Sequence, residues 1–156
     1  MHNHILEDVD LLEAVEVYSE IETLEESSFL SKQFLQTKVT AYNKKKGVSI
    51  KSMPDLIKNH SNPGLTELVK NSKDIDELKY LKKDTQTTFS TLNKIKERIG
   101  LCKRLGETDK TKNYYKAIKR DYIDKGLTEK DVDATIVGMK KLIEDINKRI
   151  KELEKK

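Results

Sequence analysis

The clearest hydrophobic pattern in the chain lies at its C-terminal end. Val132, Ile136, Met139, Ile143, Ile146, Ile150 and Leu153 follow one another at steps of 4, 3, 4, 3, 4 and 3, and all seven are apolar. This is the spacing of one helix face. Beyond Ile143 the stripe narrows to alternate a and d positions of a heptad, with charged or amide side chains between them. So narrow a ridge covers no globular core by itself and asks for a partner helix. Thr128 stands where an N-cap is expected, with Asp131 three residues on as a short capping box, which predicts a helix over 129–154.

A second register precedes it. Leu78, Leu81, Thr85, Thr88, Leu92, Ile95, Ile99 and Cys102 step by 3 and 4 in strict alternation. The spacing predicts a helix over 74–105, roughly 48 Å long at about 1.5 Å per residue. Ser72 is its expected cap, and Gly100 is a place where it bends or stops. Two threonines weaken the middle of this seam. The two seams match in length and are expected to bury each other, within one chain or between copies. Each fully buried Leu or Ile contributes about 1.5–3 kcal/mol, so leaving either ridge in water is costly.

Between these two lies a predicted helix over 112–125, with Tyr115, Ile118 and Tyr122 on one face and Gly126 at its end. Upstream, Leu11, Ala14, Val15, Tyr18, Ile21 and Leu24 mark a helix over 5–27. A further helix over 28–46 carries two stripes. Leu30, Phe34, Thr37 and Ala41 form one; Leu35, Val39 and Tyr42 form the other. Three lysines and Gly47 close it. Short helices are expected up to Asn59, behind a Ser52 cap and Pro54, and over 65–71. Ser61, Asn62, Pro63 and Gly64 form a turn signal. The turn divides the chain into an N-terminal helical unit (1–60) and a C-terminal unit (65–156). The expected fold is all-α, a helical bundle with long coiled-coil-like helices in its C-terminal half. Six Gly and two Pro among 156 residues leave little turn material for a β fold.

Charge changes this picture more than composition does. Residues 1–30 hold nine acids and no base, a charge of −9, while the remainder carries +13. Glu7, Asp8, Asp10, Glu13, Glu16 and Glu20 make this an acidic docking segment, attracted to a basic surface and weakened by salt.

Catalytic signatures do not appear. There is no glycine-rich phosphate loop, nucleophile elbow or zinc-protease motif, and no cofactor is implied. His2 and His4 have no third ligand beside them. Glu13, Glu16 and Glu20 read as a solvated helix face, and His60 as a helix C-cap or loop residue. Cys102 sits in a seam and reads as core. As a lone cysteine it forms no intramolecular disulfide, and it favours a reducing compartment, the cytoplasm. No apolar run approaches a membrane span.

Two basic clusters remain. One is Lys44, Lys45 and Lys46, beside Tyr42; the other is Lys112, Lys116, Lys119 and Arg120, among tyrosines. Both suit polyanion contact. The reading these features favour is a non-enzymatic interaction or assembly protein: an adaptor, scaffold or inhibitor. Its partner is another protein or a second copy, reached through the 132–153 seam and the acidic segment. The alternative is a nucleic-acid-binding module using the basic clusters. A small Lys- and Asn-rich helical chain is also common in phages and mobile elements, an association that would place it in host cytoplasm or virion and that carries no mechanism.

Overall fold

The computed structural model describes Leu30 and residues 32–156. The predicted helix over 5–27, the acidic segment and the histidines near the N-terminus lie outside the described residues. The described chain is all-helical, with no strand. It comprises α1 (Gln33–Lys45), α2 (Met53–Asn59), α3 (Pro63–Asn71), α4 (Ile75–Leu105), α5 (Tyr115–Ile118) and α6 (Glu129–Glu154), with a π-helical turn over Lys119–Ile123. No helix among the described residues is long and apolar enough to cross a membrane.

The two long helices form the frame. Asp74 caps α4 by accepting from the N–H groups of Asp76 at 2.9 Å and Glu77 at 3.4 Å. The expected cap, Ser72, stands outside the helix and accepts from the Asp74 N–H. Gly100 neither ends nor interrupts α4. Its bare α-carbon instead lets the Glu129 carboxylate approach, since a Cβ there would lie 2.9 Å from Oε1. Thr128 and Asp131 form the expected capping box on α6, each accepting from the other's backbone N–H.

These helices lie side by side and antiparallel. Lys96 pairs with Asp133 at 2.7 Å, the Lys140 ammonium sits over the Phe89 ring, and Arg149 Nε donates to the Ser72 carbonyl at 3.0 Å. Such exposed pairs contribute about 0–1 kcal/mol each, so they set register while burial supplies the stability. All eight α4 seam positions, from Leu78 to Cys102, are buried. Across from them Val132, Ile136, Met139 and Ile146 are buried, and Ile143, Ile150 and Leu153 half-buried. The first part of the ridge and Ile146 are covered within one chain, while Ile143, Ile150 and Leu153 are covered in part. Thr85 and Thr88 satisfy their buried hydroxyls by donating to Leu81 O and Asp84 O, one turn back.

The short helices close the rest of the core. Ser52 caps α2 and Asn62 caps α3. Leu56, Ile57, Leu65 and Leu68 join the same buried cluster as Leu78, Leu92 and Ile146, so one core spans both sides of the Ser61–Gly64 turn. The end of α2 meets α6 at close range. His60 takes the left-handed conformation (φ 64°) as C-cap. Its carbonyl oxygen lies against Gly138, where a Cβ would come within 2.7 Å. Its Nε2 lies 3.0 Å from Asp131 Oδ1, a contact the C-cap expectation did not include.

The predicted helices over 28–46 and 112–125 are shorter than their periodicity suggests. The first begins at Gln33; Phe34, Thr37 and Ala41 are exposed, and it is Leu35, Val39 and Asn43 that turn inward. The second is one α turn followed by a π turn, closed by the Asp124 N–H donating to Lys119 O at 2.7 Å. Tyr114 and Tyr122 are buried there, while Tyr115 is only half-buried. Ile118 and Tyr122 are buried as their helical spacing predicts, but it is Tyr114 rather than Tyr115 that joins them in the core.

Three outcomes follow from this packing. Ile146→Ala should cost about 2–5 kcal/mol in urea unfolding, whereas Val137→Ala, on the exposed side of α6, should be near neutral. Gly138→Ala should cost about 1–3 kcal/mol despite its better helix propensity, because the His60 backbone must move. Asp131 is held below the usual carboxylate range, chiefly by the His60 ring and then by the Thr128 N–H. Its contribution is therefore complete above about pH 4 and is lost as the pH falls further. Asp131→Asn should flatten that acid limb of the stability curve, read by thermal melts from pH 2 to pH 7.

Candidate interaction surface

Among the described residues, helix α1 packs through one side. Leu35 and Val39 pack inward, and Asn43 locks the helix to the start of α3. The Asn43 amide donates to Asn62 Oδ1 at 2.9 Å, while its own oxygen accepts from the Gly64 N–H at 2.6 Å. Gly64 is required here: a Cβ would lie 2.4 Å from the Val39 carbonyl oxygen. Both buried amides are thus satisfied, and the clamp fixes which face of α1 points outward.

After α1 the chain reverses at Gly47, whose φ is 71°, and the Val48 N–H donates to Asn43 O at 2.9 Å. Residues 47–51 then run beside the outer face of α1 until Lys51, whose N–H donates to Asp55 Oδ2. An open groove of about 870 Å³ lies between the two. Its walls include Gln36, Thr37, Thr40 and Ala41 on the helix and Val48 and Ile50 on the returning chain. Lys44 and Lys51 border it. Lys44, Lys45 and Lys51 are exposed and have no carboxylate partner among the described residues, whereas Lys46 pairs with Glu67 at 3.3 Å. One lining residue also carries a polar atom without a partner. Gln36 Oε1 is buried without a hydrogen-bond partner, although its amide nitrogen donates to Thr40 Oγ1. On the flank beyond, Phe34 is 53% exposed, with the Lys38 ammonium above its ring.

The other sequence candidates are distributed differently. Most of the 132–153 seam is spent against α4. Lys112, Lys116, Lys119 and Arg120 are exposed. Lys119 pairs with Asp124 at 3.2 Å, and Arg120 forms a two-pronged bond to Asp121 at 2.7 and 2.9 Å. Tyr114 and Tyr122 are core residues and offer no face for stacking. The six acids of the docking segment lie outside the described residues.

Sequence reasoning missed Arg98. This arginine is 6% exposed, and its guanidinium lies 4.6 Å from the centre of the Tyr114 ring, tying the connection before α5 to α4. Nothing in the local pattern distinguishes it from the solvated bases around it. Cys102 lies in the same part of the core. Burial pushes its thiol up to about 11, so it stays protonated at neutral pH and is a poor nucleophile. Among the described residues no three His, Cys, Asp or Glu side chains converge as metal ligands.

The arrangement provides recognition chemistry: a half-apolar trough, cations at its border that no described carboxylate pairs, and a helical backing. No known protein family, curated protein or solved structure matches this chain.

Proposed function

We propose that this chain is a non-enzymatic interaction protein, whose α1 groove receives an acidic amphipathic helix from a protein partner. The observation that carries the reading is the groove itself. It is a concave surface with apolar walls at Ala41, Val48 and Ile50, bordered by two lysines that no described carboxylate neutralises. An amphipathic helix fits such a trough by seating its apolar stripe while acids at the stripe's edge meet the cations. The α4–α6 contact, in this reading, is an antiparallel coiled coil that backs the surface. Its support is the strict alternation of the buried α4 positions. A reducing compartment such as the cytoplasm suits the unpaired Cys102.

The polyanion alternative has weaker support. Of its two clusters, one has two bases engaged by neighbouring aspartates and Tyr114 and Tyr122 buried, and the other borders the groove.

A designed acidic amphipathic helix of about 14 residues, long enough to span roughly 21 Å, tests the reading by NMR titration of the full chain. Shifts should cluster at Gln36–Lys51, and the Lys44→Glu/Lys51→Glu variant should bind about tenfold more weakly. A control peptide with the same stripe and lysines for glutamates should not bind. Tighter binding to duplex DNA than to the acidic helix, with shifts at Lys112 and Lys116, would overturn it.

A further inference from the structure

The two walls of the α1 groove differ in kind. On the returning chain Val48 is half-buried and Ile50 buried, and both are aliphatic. On the helix the lining residues ahead of Ala41 are Gln33, Gln36, Thr37 and Thr40, all polar and none charged. A partner helix with a single apolar stripe matches the first wall and not the second. We propose that the groove selects a partner helix with a third sector, a row of neutral hydrogen-bonding side chains laid along α1 beside the apolar stripe that meets Val48 and Ile50. This rests on the groove reading above and names the chemistry of the partner's other edge.

The amides of Gln33 and Gln36 are the groups that read this row. The hydroxyls of the helix wall are already engaged: Thr37 Oγ1 donates to the Gln33 carbonyl at 3.1 Å, and Thr40 Oγ1 accepts from Gln36 Nε2 at 3.0 Å. The oxygen at the other end of the Gln36 amide has no partner. Gln33 is exposed, and its amide bonds no described residue. Gln33, Gln36 and Thr40 follow at steps of 3 and 4, and Lys44 stands four beyond, so one edge of α1 passes from amide to hydroxyl to cation. The partner's row is therefore ordered in the same way, neutral over Gln33 and Gln36 and acidic at Lys44.

An apolar side chain laid on these amides takes away their water and returns no bond, which is the costly case for a polar group. A hydroxyl or amide replaces the water directly. A glutamine amide turns in a broad torsional well, so it offers its oxygen or its nitrogen to the newcomer. Ser, Thr, Asn and Gln both donate and accept and so match either end, whereas a carboxylate only accepts and an ammonium only donates. A charged group also gives up more hydration on entering a half-apolar trough. Of the three kinds of side chain, the neutral polar one is thus the match for this wall.

Calorimetric titration of the full chain with two designed helices tests this. They share their acids and apolar stripe; the third row is Gln in one and Leu in the other, residues of similar helix propensity. The Gln-row helix should bind roughly tenfold more tightly, the effect of two hydrogen bonds, and the Gln33→Leu/Gln36→Leu variant should reverse the order. Both substitutions lie on the outer side of α1, so the melting temperature should hold. Should that variant lose its fold, Gln36→Met, close to glutamine in shape, should by itself narrow the preference to about threefold. Equal or tighter binding of the Leu-row helix to the unaltered chain, or a preference that survives the substitutions, would overturn the proposal and leave the groove reading in place. Binding of neither helix would remove both.

Discussion

The fold depends on two apolar ridges that have no use except each other. Leu78, Leu81, Leu92, Ile95 and Ile99 on α4 are fully buried, and Val132 and Ile146 on α6 likewise. At about 1.5–3 kcal/mol for each such side chain, this one contact is large beside a typical domain stability of about 5–15 kcal/mol. Everything else leans on that antiparallel pair. The short helices α2 and α3 lay their Leu and Ile residues against it. The chain between α4 and α6 is pinned to it by the Arg98–Tyr114 stack and the buried Tyr122. Surface ion pairs such as Lys96–Asp133 select the alignment of the two helices but would not hold them together in water.

How much of this was legible in the residues follows from what each pattern measures. A long seam with a period near 3.5 reports burial directly, so α4 and α6 can be placed to within a residue or two. Caps with a side-chain mechanism, Thr128 with Asp131 and Ser52, are also local and readable. The errors arise where a tertiary contact outweighs a local period. On α1 two stripes compete, and nothing nearby says that Asn43 will clamp Gly64 and so turn Leu35 and Val39 inward while Phe34 stays out. Before α6 it is Tyr114 that is buried with Tyr122, where the regular period pairs Tyr115 with Tyr122. Gly100 does not stop its helix; its neighbours Ile99, Leu101 and Cys102 are buried in the core. The groove was illegible for the same reason. It arises from the reversal at Gly47, which brings Val48 and Ile50 beside α1. Its lysines were visible in the sequence, but the trough they border was not.

Charge takes a different place in this architecture from hydrophobicity. The core is apolar and nearly free of ionised groups; Arg98 is the one buried exception among the described residues, and it is stacked on an aromatic ring. The large separation of charge along the chain therefore cannot be a device for building the core. Between charges in solvent, such attraction reaches about 8 Å, the Debye length at physiological ionic strength. Interactions of that kind weaken with salt, whereas the apolar contact of the helix pair does not.

One small feature links these two regimes. Leu30, the residue through which the acidic segment enters the helical body, is buried in a spot lined by Leu56, Leu65, Met139 and the threonines Thr85 and Thr88. This is the stretch of α4 where the ridge is least greasy and where hydroxyls bond back to their own helix. Leu30 thus anchors the entry of the chain at the section of the central pair where threonines replace aliphatic side chains.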